Sequence, residues 1–212
     1  MVMGDLVLTQ EEVSPVMRRL TASGFEVTAI HNHLLRASPF PMYMHVSGHG
    51  NPVELAKALH VALAETHTPL AMGKKPTAQD LPFDTEQLDA IIGVHGKADG
   101  GVYKFAIPRK EKITDDGMEV PASMGMASSI GFQPVGKDKA AIHGDLVLVA
   151  EEVEPVLRAL QENGIEVTAL HNHMINEKPR LFFMHFWAVD NPQKLAKGMR
   201  AALDKMNIQK GR

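Results

Sequence analysis

The chain contains the same segment twice, and this restricts its fold more than any other feature. Gly4-Asp5-Leu6-Val7-Leu8 returns as Gly144-Asp145-Leu146-Val147-Leu148. Glu26-Val27-Thr28-Ala29-Ile30-His31-Asn32-His33 returns as Glu166-Val167-Thr168-Ala169-Leu170-His171-Asn172-His173. Met44-His45 becomes Met184-His185, and Asn51-Pro52 becomes Asn191-Pro192, always at the same offset. Roughly half of the ~60 aligned positions are identical, far beyond chance for a single period.

Each copy reads as strand, helix, strand, strand, helix. Leu6 to Leu8 is a short apolar strand. Glu11 and Glu12 place acids in the first turn of a helix whose Val13, Val16, Met17 and Leu20 recur at helical spacing. Pro15 is expected in that first turn, and Gly24 supplies the stop. Val27 to Leu34 and Met42 to Ser47 read as strands. Asn51-Pro52 opens a second helix carrying Leu55, Ala56, Leu59, Ala62 and Leu63. Between the copies, Thr85 to Ile92 predicts a short helix, and Val102 to Ile107 and Ile130 to Phe132 predict strands. The expected fold is α+β: two tandem βαββα repeats with largely antiparallel sheets, related by a pseudo-twofold. The expected divisions are 1–65 for the first repeat, 66–83 for a Pro-rich linker, 84–143 for a leader of the second half, and 144–212 for the second repeat. Nothing equivalent to the leader precedes the first copy. Either a strand from a second copy of the chain completes that half, making a homo-oligomer, or more chain lies ahead of Gly4.

Bulk properties narrow the function by exclusion. An apolar fraction of 44% and a charged fraction of 22% describe an ordinary folded chain rather than a disordered one. A net charge of −3 with no Lys/Arg stripe gives no field for nucleic acid. The absence of cysteine excludes disulfides, thiolate ligands and a cysteine nucleophile. No apolar run is long enough to span a bilayer, and the first residues lack the pattern of a signal peptide.

The histidines carry the chemical signal. On a strand, side chains two apart share a face, so His31 and His33 are expected to project together with Asn32 opposite. If 27–34 and 42–47 pair antiparallel, His45 lies beside them. Three imidazoles with an open fourth position are what catalytic zinc uses, with water as the remaining ligand. His171, His173 and His185 repeat the set. The expected cofactor is a divalent metal, zinc by default, with manganese or iron as alternatives because imidazole accepts each of them. Two other readings stay open: a metal-free catalytic or ligand-binding cluster, and a hydrogen-bonded structural core.

Asp5 and Asp145 are the candidate catalytic residues, as general base or as orienters of the ligands. Their bland alternative is a turn aspartate bonding its own backbone. Glu11, Glu12, Glu151 and Glu152 read as helix N-terminal charges rather than catalytic acids, and Asn32 and Asn172 as braces of backbone or loop. Tyr43, Phe183 and Trp187 read first as core. As a second reading they wall an apolar pocket for a small molecule. His49, His60 and His67 have no counterpart in the second copy and read as surface residues. The literal His-Asn-His string does not make an HNH nuclease, which needs a ββα-metal arrangement.

Gly-Asp-Leu-Val-Leu, Glu-Val-x-Pro-Val, Glu-Val-Thr-Ala-Leu-His-Asn-His and Pro-Arg-Leu-Phe-Phe-Met-His-Phe-Trp together resemble the LppY/LpqO conserved-domain family, a bacterial domain of unknown function. The likeness runs from Gly4 to about Leu203. It implies exported or lipid-anchored full-length members and no established activity. The leading expectation is therefore a metal-binding protein with duplicated sites, of which a metal-dependent hydrolase is the enzymatic form. The alternative is a non-catalytic module of the cell envelope that holds a small ligand in a histidine/aromatic pocket.

Overall fold

A computed structural model describes residues 1–71, 73 and 81–209. The architecture is α+β with antiparallel sheets. Much of the expected linker at 66–83 lies outside the described residues. Backbone contacts divide the chain into two units: Met1–Lys74 with His171–Ile175, and Lys75–Leu170 with Asn176–Arg212.

The first unit holds β1 (Val2–Leu8), α1 (Gln10–Ala22), β2 (Glu26–His31), β3 (Met42–Gly48) and α2 (Pro52–Leu63). Its sheet has the order β1-β3-β2, antiparallel throughout. Strand alternation sorts the side chains. Leu8, Met44 and Val46 face the helices and pack with Val16, Leu20, Phe25 and Ala62. Burying each such side chain is worth about 1.5–3 kcal/mol. Asp5 and His45, directly opposite one another in the β1–β3 register, fall on the other face.

Helix α1 begins one residue before the paired acids because Glu12 folds back on its own start. Thr9 N donates to Glu12 Oε2 at 2.8 Å, and His67 N donates to Glu12 Oε1 at 2.8 Å. That start places Pro15 in the second turn rather than the first, beyond the positions where a missing N–H goes unnoticed. Gly24, with φ of +81°, supplies the left-handed stop, and Phe25 N closes on Leu20 O at 3.0 Å. Helix α2 is capped by Asn51, whose side chain accepts from Val53 N at 2.9 Å.

The second unit holds α3 (Thr85–Ile92), β4 (Lys97–Asp99), β5 (Val102–Pro108), the small hairpin β6 (Thr114–Asp115) and β7 (Met118–Glu119), β8 (Ala127–Gly136), β9 (Lys139–Leu148), α4 (Ala150–Glu162), β10 (Glu166–His171), β11 (Phe182–Asp190) and α5 (Pro192–Leu203). Its six-stranded sheet has the order β10-β11-β9-β8-β5-β4. Phe105, Phe132, Ile142 and Phe186 pack with Leu88, Leu160, Met199 and Leu203 from the helices. Residues β9-α4-β10-β11-α5 run through the same order of elements as β1-α1-β2-β3-α2.

Gly144 sits where β9 is pressed hardest. A Cβ there would meet Ser129 O at 2.0 Å and Phe186 Cζ at 2.8 Å. Gly4, its counterpart in β1, would meet only Val46 Cγ2 at 3.6 Å. The second unit also buries an arginine. Arg109 Nη1 donates to Val147 O at 2.8 Å and to Glu152 Oε2 at 2.5 Å, and Nη2 donates to Glu111 Oε1 at 2.9 Å. Glu152 accepts further from Val149 N at 3.1 Å and Asn207 N at 2.7 Å. It is thus both the N-terminal charge of α4 and the counter-ion of a fully buried guanidinium.

Candidate metal centre

The first unit gathers five imidazoles and one carboxylate. β2 delivers His31 at its last residue, and β3 delivers His45 from the centre of the sheet. His33 lies beyond the end of β2, so strand alternation does not place it beside His31; the following loop does. Asn32 braces that loop, its Nδ2 donating to Leu34 O at 3.3 Å. His171 is the last residue of β10, and His173 comes from the segment that leaves it. Asn172 Nδ2 donates to Met174 O at 2.9 Å and to Thr28 O at 3.2 Å, and Thr28 Oγ1 donates to His173 O at 2.5 Å. The Thr and Asn of the repeated Glu-Val-Thr-Ala-x-His-Asn-His string therefore fix where its histidines stand.

The rings form a stacked group. His31 and His171 have centroids 3.5 Å apart, and His45 and His173 3.9 Å. His33 lies 4.8 Å from His31 and 5.2 Å from His171, with Tyr43 stacked on its other side at 3.7 Å. Three overlapping sets have ligand atoms within 4.8 Å of one another: His31, His33 and His171; His45, His171 and His173; and Asp5, His33 and His45. The expected grouping of His31, His33 and His45 by themselves is not among them; His33 joins His31 in one set and His45 in another. In the second unit, Asp145 Oδ1 lies 3.8 Å from His185 Nε2, in the same cross-strand register as Asp5 and His45.

Burial sets the protonation states. His45 is pushed down to about 3, chiefly by burial and further by His31 and His171. His171 is pushed down to about 4 by burial and His31, against a pull from the Asn172 backbone. His31 is lowered by burial as well. All three are neutral at pH 7, the form that coordinates a metal. Burial raises Asp5 to about 6, and burial followed by the Asp5 charge raises Tyr43.

His31 Nε2 and His45 Nε2 are buried and have no hydrogen-bond partner among the described residues. His45 Nε2 lies 3.7 Å from Asp5 Oδ1, outside hydrogen-bond range. An unsatisfied buried nitrogen costs about 1–3 kcal/mol, so two in one pocket ask for an explanation such as an ion. Ser47, two residues beyond His45, adds a buried hydroxyl with no partner. The sequence signalled it only as a polar position in the first copy. The donor set of imidazoles and one carboxylate fits a borderline divalent ion.

Of the proposed pocket residues, Tyr43 belongs to this cluster. Phe183 is fully buried in the second unit, and Trp187 is half-buried there, opposite His143 in the β9–β11 register. His67, expected at the surface, has an exposed ring, with Nδ1 2.9 Å from Glu12 Oε1. No helix of the described residues is long and apolar enough to cross a membrane.

The family model described as Domain of Unknown Function (DUF1259) matches residues 1–65 and 86–205. No curated protein matches the chain.

Proposed function

We propose that this chain, which belongs to the family described as Domain of Unknown Function (DUF1259), binds a divalent transition-metal ion through His31, His33 and His171. The observation that carries the reading is the buried, neutral imidazole cluster in which His31 Nε2 and His45 Nε2 lack hydrogen-bond partners among the described residues. Zinc is the first choice, since three imidazoles leave a fourth position for water. When bound, such an ion would supply Lewis acidity that lowers the pKa of a water to ~7.

The residues of the chain would do the rest. The stacked rings hold the ligand nitrogens in place and keep water from the buried side. Asp5, held at about 6 by its burial, can take up or release a proton near neutral pH beside His45. These roles support a metal-dependent hydrolase as the finer form of the proposal. Asp145 with His185 is proposed as the corresponding acid–imidazole pair of the second copy. The motifs shared with the LppY/LpqO family support placing the chain among its members, and with them an exported or lipid-anchored full-length form.

The test is elemental analysis of protein purified without chelator, followed by calorimetric titration with zinc, manganese and iron(II) ions. Uptake that His31→Gln and His171→Gln each abolish is the expected result. A folded protein that takes up none of these ions at pH 7.5 ends the proposal.

A further inference from the structure

Three donor sets crowd into the first unit, and every pair of them has an imidazole in common. His33 belongs both to the set with His31 and His171 and to the set with Asp5 and His45. The third set, His45, His171 and His173, shares one ring with each of these. The sets differ in how open they are to an ion still carrying its water. The set of His31, His33 and His171 lies within the stacked rings, His31 against His171 at 3.5 Å and Tyr43 over His33 at 3.7 Å. Asp5 is the one exposed residue in any of the three sets, its side chain 39% accessible where that of His45 is 6%. Its Oδ1 stands 3.7 Å from His45 Nε2, a separation that suits two ligands of one ion better than a hydrogen bond.

We propose that Asp5, His33 and His45 form an entry position, where a divalent ion is first caught and from which it passes to His31, His33 and His171. This rests on the reading of the cluster as a metal centre and adds the route by which the ion arrives. A hydrated ion is drawn by negative charge and sheds its first waters most readily to another oxygen, and Asp5 is the only donor of the three sets that offers both at the surface. His45, directly opposite Asp5 in the strand register, adds a nitrogen. His33 is common to both positions, so the ion stays on one imidazole while Asp5 and His45 give way to His31 and His171. An all-imidazole set suits a borderline ion such as zinc better than a set with a carboxylate, which gives the transfer its direction. With a ring shared between every pair of sets, the positions serve one ion in turn rather than several at once.

The experiment follows zinc entering and leaving the full chain by stopped flow, a fluorescent zinc indicator reporting the free ion, in the parent, His45→Gln and Asp5→Asn. His45→Gln leaves the charge at neutral pH unchanged. It should slow uptake and release alike, each by about tenfold, with Kd left where it was. Asp5→Asn should slow uptake at least as much while changing affinity only modestly. A parent that binds no zinc removes the metal reading, and the entry position with it. Zinc bound at the parent's rates by both variants leaves that reading standing and overturns the entry position. Release that quickens in His45→Gln at an unchanged rate of uptake makes His45 a ligand of the resident ion and also overturns it. So does slow uptake in Asp5→Asn alone, because Asp5 then acts only through its charge. Should His45→Gln fail to fold, Asp5→Asn is compared with the parent at low and high salt. A slowed uptake that persists when charges are screened supports a ligand, and one that vanishes refutes it.

Discussion

Replacing His45 by glutamine should flatten the acid sensitivity of the metal-free protein by an amount that follows from its burial. The His45 side chain is 6% exposed, and its pKa stands at about 3 against 6.5 in an unfolded chain. Above pH 6.5 both states are neutral and the ring contributes its full share of stability. Between 6.5 and about 3 the unfolded chain binds the proton that the folded ring refuses, so stability falls as pH falls. At pH 5 the loss relative to pH 7 is about 2 kcal/mol for this one group. Asp5 works the other way, because its raised pKa favours the folded state as it becomes protonated below about 6. Its side chain is 39% exposed, so its opposing contribution is discounted to well under about 1.5 kcal/mol. Urea unfolding at pH 7 and pH 5, with chelator present, measures the difference. The pH-induced loss should be about 2 kcal/mol smaller in His45→Gln than in the parent. Equal losses in the two proteins would mean that His45 titrates normally, and would refute the buried, neutral imidazole on which the metal reading depends.

The low pKa of His171 implies that acid does not weaken metal binding near pH 6 by charging this ligand. Asp5 titrates there and its charge stands beside His33 and His45, so affinity should fall modestly as pH drops from 7.5 to 5.5, and competition titrations of Asp5→Asn should show that fall reduced. Gly144→Ala should cost about 3 kcal/mol or more, because the new methyl meets a backbone oxygen, whereas Gly4→Ala should change urea midpoints little. Arg109→Met should destabilise by about 3–5 kcal/mol by stranding Glu152, and adding Glu152→Gln should recover part of the loss in thermal melts.

Much of the fold was legible because its signals are local. Helical spacing in Val13, Val16, Met17 and Leu20, the Asn51 and Asn191 caps, and the glycine after α1 each announce themselves within a few residues. The short strands β4, β6 and β7 were not legible, since β4 and β7 are exposed and none of the three carries an apolar alternation. The length of β8 and β9 was missed because their shared turn and flanks are polar, with Asp138 at φ of +57° closing the hairpin. The histidines were identified from recurrence, but their grouping was not. Which imidazoles meet depends on where β2 stops and on where the segment after β10 is held by Thr28, and neither is encoded at two-residue spacing. Arg109 gave no sequence signal, because Val147 and Glu152, the partners that bury it, are remote along the chain.

Asp5 meets His45, and Asp145 meets His185, only through the alignment of two antiparallel strands. Sliding β1 by one residue along β3 would turn the carboxylate to the opposite side of the sheet and bring a leucine or a glycine to the imidazole. A single-residue deletion inside β1 should therefore silence the site while leaving every one of its donor side chains in the chain. The loop between β2 and β3 carries no such constraint on this pair, so beyond His33 its length can change without parting Asp5 from His45.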